Sequence, residues 1–128
     1  PIWHGKNLTQ LQSTIASLGT NHNKEVIIAE TAYPFTLQWN DFTNNIIGLE
    51  EQLILPDYPA TPQGQKDYLA KIKEIMVTTN NGIGFCYWEG AFVSFQGPNS
   101  TNGSPWENQA VYDFKNKAMP ILNEFNIN

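Results

Sequence analysis

Two glutamates stand where apolar runs end: Glu30 follows Val26-Ile27-Ile28-Ala29, and Glu89 follows Ile83-Gly84-Phe85-Cys86-Tyr87-Trp88. A carboxylate delivered by a buried run is costly unless it is hydrogen-bonded or faces a cleft, and an acid at a strand end is more often a capping or solvated group than a reagent. Carboxyl pairs can cleave glycosidic bonds: one supports the anomeric carbon of an oxocarbenium-like transition state, while the other protonates the leaving oxygen. On adjacent strands Glu30 and Glu89 would lie about 4.8 Å apart in backbone spacing, compatible with the ~5 Å carboxyl separation of retaining enzymes. Sugar rings also offer flat apolar faces for aromatic side chains to cover. Trp3, Tyr33, Trp88 and Trp106 all lie near predicted strand exits or their loops, although core packing explains any one of them alone at least as well.

The elements that must position these groups alternate along the chain. Asn7 is a good N-cap, and Leu8, Leu11, Ile15 and Leu18 follow at helical spacing, predicting a helix over about residues 8 to 18 with Gly19 as its left-handed terminus. The runs after Lys24 and Gly82 are continuously apolar, the pattern of parallel strands buried on both faces. Between them, Thr61-Pro62 opens a helix over about 63 to 79, with Leu69, Ile72, Ile75 and Met76 on its apolar face and Asn80-Asn81-Gly82 ending it. Beyond the turn-rich stretch 96–105, Ala110, Val111, Phe114 and Ala118 predict a further helix that Pro120 interrupts. Helix, strand, long loop, helix, strand, long loop, helix is the order of parallel βα units, whose functional groups sit on the loops leaving the strands. No Gly-x-Gly-x-x-Gly or phosphate loop follows either strand, which disfavours a nucleotide-binding doubly wound fold.

The 128 residues suffice for one ordinary core but fall short of the ~250 of a complete (β/α)8 barrel. The chain opens on Pro1, with little before the first helix, so a start inside a longer chain is expected. Seven basic against twelve acidic residues, a formal charge of -5, and no basic helical face argue against nucleic acid. No apolar stretch reaches the ~20 residues of a membrane span, and no leader pattern opens the chain. Cys86, the only cysteine, has no internal disulfide partner and is expected to be a buried, inert thiol. Sequons at Asn7, Asn99 and Asn102 leave the compartment undecided.

Five stretches together resemble the endo-β-1,4-galactanases of glycoside hydrolase family 53: Pro1-Ile2-Trp3-His4-Gly5, Glu30-Thr31-Ala32-Tyr33-Pro34, Tyr58-Pro59-Ala60-Thr61-Pro62-Gln63-Gly64-Gln65, Tyr87-Trp88-Glu89-Gly90-Ala91-Phe92 and Ser104-Pro105-Trp106-Glu107-Asn108-Gln109-Ala110. The resemblance implies an α/β fold, the C-terminal portion of a (β/α)8 TIM barrel from the end of strand 6 to helix 8, with residues 1–128 forming part of one catalytic barrel whose N-terminal part is absent. It implies that Glu30 is the catalytic nucleophile, that Trp3, His4, Tyr33, Trp88, Glu89 and Trp106 contact or support substrate, and that the family's acid/base glutamate, which follows an asparagine at the fourth strand, is missing here. Bacterial members often bind calcium after the seventh strand, where this chain reads Leu37 to Asn45 with Asp41 as its one acidic residue, so neither calcium nor another cofactor is expected. The implied partner is β-1,4-galactan, cleaved with retention outside the cell or in the periplasm. Self-association or pairing with the missing barrel half is expected of exposed sheet edges. The alternatives are a non-catalytic carbohydrate-binding module using Trp3, Trp88 and Trp106, and a related β-glycanase of other specificity.

Overall fold

The computed structural model describes residues 5–126. Helix α1 spans Leu8–His22, strand β1 Val26–Thr31, helix α2 Pro62–Thr78 and strand β2 Gly82–Tyr87, with short 3₁₀ turns at Glu50–Gln52, Glu107–Gln109 and Pro120–Phe125. The strands pair in parallel, with α2 as the crossover.

The Asn7 side chain accepts the Gln10 amide at 2.9 Å and starts α1 where the sequence places it. The helix runs one turn beyond Gly19 and ends at Asn23, whose φ of 47° supplies the left-handed cap and whose N–H donates to the Gly19 carbonyl. Gly19 answers a different demand, since a Cβ there would stand 2.8 Å from the Asn81 Cβ. Helix α2 begins with Thr61 accepting the Gly64 amide and Pro62 in the first turn. Its buried stripe of Gly64, Gln65, Tyr68, Leu69, Ile72, Ile75 and Met76 packs against β2 and the Pro120–Phe125 turn. Full burial of aliphatic side chains such as Leu69 and Ile72 contributes roughly 1.5–3 kcal/mol apiece.

Three expectations fail here. The strands are covered on one face only: Ile28 lies in the core, whereas Ile27 and Ile83 remain 52% and 56% exposed, and Cys86 is exposed as well. An apolar run reports what a strand needs to bury, and the layer that would cover its second face is not among these residues. No α-helix forms over 110–118. The Asp113 carboxylate accepts the Lys115 and Lys117 amides at 2.8 and 2.9 Å, Asn116 has a φ of 59°, and Tyr112 bridges Ala118 in a tight reversal. This local side-chain capture of backbone amides competes with the helix that the apolar spacing suggested. Phe114 still reaches the core, edge-on to Phe35 at 5.2 Å, and Pro120 begins a 3₁₀ turn rather than interrupting a helix.

Candidate active site

Glu30 is exposed near the C-terminal end of β1. It lies inside an irregularity of the sheet, because Ile28 pairs with Phe85 but Thr31 pairs with Tyr87: three residue steps on β1 face two on β2. Such one-residue insertions re-aim a side chain and recur beside active sites.

The exit of β2 is tied to that of β1. The Trp88 N–H donates to the Thr31 carbonyl at 2.8 Å, the next hydrogen bond beyond the paired strands. Trp88 is 38% exposed and meets Trp106 edge-to-face, ring centroids 6.3 Å apart at 69°, so two expected aromatic contacts form one apolar ledge. Glu89 follows in the left-handed region with φ 51°, and its carbonyl accepts the Phe92 amide in the turn beyond. Partial burial pushes the Glu89 carboxyl above its ordinary range, and repulsion from the Glu30 charge adds to the rise. The two carboxyls of the strand exits are therefore electrostatic neighbours.

Tyr33 is not at the surface. It is fully buried, stacked on Tyr68 at 4.3 Å, donating its hydroxyl to the Tyr58 carbonyl at 2.6 Å and accepting the Ile54 amide at 2.9 Å. Its ring props the loop after β1 from below, and burial raises its phenol. Trp3 and His4 lie outside the described residues.

Gln65, in the Tyr58–Gln65 stretch, carries no role that its sequence context assigns. It is fully buried in the first turns of α2, its amide nitrogen 2.9 Å from both the Tyr33 and Ala110 carbonyls and within reach of the Gln109 carbonyl and the Tyr87 hydroxyl. Tyr87 in turn donates to the Gln109 carbonyl at 2.8 Å, and burial drives its phenol far up. One amide and one phenol thus fasten both strand exits to α2 and to the segment after Trp106. Only the early position of Gln65 on the buried stripe of α2 could have hinted at this.

The loops beyond the two strands interlock through buried polar groups. Asp41 accepts the Thr43 amide at 2.7 Å on one oxygen and the Ser94 hydroxyl at 3.0 Å on the other. The Gly103 N–H donates to Thr43 Oγ1 at 2.7 Å, and the Asn108 side-chain amide donates to the Thr36 and Ile47 carbonyls at 2.8 and 2.7 Å. Gly103 has no room for a Cβ, which would stand 2.5 Å from Asp41 Oδ2. Glu107 is fully buried and accepts the Asn40 amide at 2.7 Å; desolvation raises its carboxyl, that amide opposes the rise, and the Asp41 charge adds to it. Among the described residues, no three His, Cys, Asp or Glu side chains group as a metal site.

An exposed carboxylate, an aromatic ledge and a second carboxyl with a raised pKa suit attack on a carbohydrate bearing a flat apolar face. Comparison with known proteins agrees. Residues 1–125 match the description Glycosyl hydrolase family 53. The chain is 40% identical over 125 residues to the arabinogalactan endo-β-1,4-galactanase of Cellvibrio japonicus (strain Ueda107), covering 95% of this chain and 32% of that protein. It is 28% identical to the endo-β-1,4-galactanase of Bacillus subtilis (strain 168), covering 98% and 36%. The solved Ignisphaera aggregans GH53 catalytic domain superposes with a TM-score of 0.86 at 30% identity over 98% of this chain and 36% of that one. The chain therefore spans about a third of the length of these proteins, and its fold is a part of their TIM barrel.

Proposed function

The chain belongs to glycosyl hydrolase family 53, and from that premise we propose that it supplies the nucleophile-bearing part of a retaining endo-β-1,4-galactanase. The observation that carries the reading is Glu30, exposed at the β1 exit beside the Trp88-Glu89 exit that the Thr31–Trp88 hydrogen bond holds next to it. In this reading Glu30 attacks the anomeric carbon to form a galactosyl-enzyme ester, which water then hydrolyses. Trp88 and Trp106 cover the apolar face of a galactose ring, and Tyr33 acts from beneath the surface. The proton donor is a glutamate from the portion of the barrel outside these residues, so the 128-residue chain by itself turns over no galactan. The full-length enzyme works on an extracellular or periplasmic polysaccharide.

The test is the enzyme that contains this chain. Glu30→Gln should lower galactan turnover by several orders of magnitude, and a 2-deoxy-2-fluorogalactosyl probe should label the Glu30 peptide in mass spectrometry. Turnover by the purified 128 residues, abolished by Glu30→Gln, would overturn the division of labour.

The raised carboxyl of Glu89 favours a second reading, in which Glu89 protonates the leaving glycosidic oxygen as the ionised Glu30 attacks the anomeric carbon. Glu89→Gln should then remove the basic limb of the pH profile; in the leading reading it weakens binding and leaves that limb in place.

This reading expects no calcium at 37–45, a stretch with one carboxylate, Asp41, whose oxygens accept the Thr43 amide and the Ser94 hydroxyl. The loops are held by their own polar contacts in this reading, and a chelator should leave the melting temperature unchanged.

A further inference from the structure

Side chains two apart on a regular strand point to the same face. Ile28 lies in the core, so an unbroken β1 would turn Glu30 into the core with it. Instead Ala29 and Glu30 are both exposed and Thr31 is fully buried, because the extra residue between Ile28 and Thr31 shifts the alternation by one. The irregularity is what delivers Glu30 to the open face, where Trp88 stands. A slip of one residue would reverse that placement.

Two contacts hold the far side of the irregularity. The Thr31 hydroxyl lies 3.0 Å from the Tyr68 hydroxyl of α2, both residues fully buried, and the Thr31 carbonyl accepts the Trp88 amide at 2.8 Å. Burial leaves neither hydroxyl a solvent molecule to replace the other, and the Tyr33 ring stacked on Tyr68 fixes the phenol in place. We propose that Thr31 and Tyr68 are positioning residues for Glu30: their buried hydrogen bond pins the strand irregularity that aims the carboxylate at the anomeric carbon. The proposal rests on the reading of Glu30 as nucleophile.

The experiment uses the full-length enzyme with Thr31→Val, Tyr68→Phe, Thr31→Ser and the Thr31→Val/Tyr68→Phe double variant. The near-isosteric Thr31→Val and Tyr68→Phe should each lower kcat on galactan by about tenfold or more with KM within about twofold, and slow labelling of Glu30 by the fluorogalactosyl probe in proportion. Thr31→Ser, which keeps the hydroxyl, should restore kcat to within about threefold, and the double variant should be no slower than the worse single. Wild-type kcat in folded Thr31→Val or Tyr68→Phe, or equal losses in Thr31→Ser and Thr31→Val, would overturn the proposal. Glu30→Gln separates the two failures: if it is inactive while Thr31→Val is fully active, only the positioning role falls; if it keeps wild-type turnover, the nucleophile reading and this proposal fall together.

Discussion

Glu107 shows how a buried carboxyl beside the Trp88–Trp106 ledge can bear on stability. Its folded-state pKa is raised, so the folded protein holds the proton more tightly than the unfolded chain. Its stabilising contribution is therefore complete below the ordinary carboxylate range and is lost as pH rises through the raised value. Glu107→Gln keeps an acceptor for the Asn40 amide and removes the titration. Melting temperature measured between about pH 4 and about pH 8 should fall more steeply in the wild type than in this variant; parallel curves would sink the idea. At this scale the sequence pointed to Glu30, Trp88, Glu89 and Trp106 because strand exits and aromatic residues advertise themselves. The depth of Tyr33 was not legible, since a tyrosine near a cleft and one stacked beneath it look alike until the partner, Tyr68, is located. Gln65 was illegible because its role depends on carbonyls at 33, 109 and 110 that only the fold brings together.

At the scale of elements, α2 was readable nearly to the residue because its start combines two local signals, a threonine cap and a proline in the first turn. The same start holds the most crowded glycine, since a Cβ at Gly64 would stand 2.0 Å from the Pro59 carbonyl. Gly64→Ala must displace that carbonyl or the first turn and should cost roughly 1–3 kcal/mol in urea denaturation. Thr61→Ala, which removes only the cap, should cost about 1 kcal/mol. An equal or smaller effect at Gly64 would show that the loop yields freely. The segment after Trp106 was misread for the opposite reason. Its apolar spacing was helical, but Asp113 and Asn116 carry stronger local instructions, and hydrophobic periodicity does not weigh them.

At the scale of the molecule, the helices leave the sheet partly uncovered, with Ile27, Ile83 and Cys86 exposed. Two parallel strands also leave both outer edges without a strand partner among the described residues. The isolated 128-residue chain should therefore self-associate, giving a concentration-dependent mass in sedimentation equilibrium. Ile27→Lys with Ile83→Lys should shift it toward monomer; a strictly monomeric wild type at about 100 µM would contradict this. The barrel was legible from the order of elements and motifs, whereas the one-sided burial was not, because an apolar run looks the same whichever part of the molecule provides its cover.

The interlocked loops carry an implication for engineering specificity. Asp41, Thr43 and Asn40 belong to the loop after β1, while Ser94, Gly103 and Glu107 belong to the loop after β2, and each set satisfies the other's polar groups away from solvent. A chimaera that imports one loop from a relative would strand a carboxylate or an amide in the interior, whereas importing both together would conserve the match. The two loops therefore form a single packing module, and specificity engineering should replace them as a pair rather than one at a time.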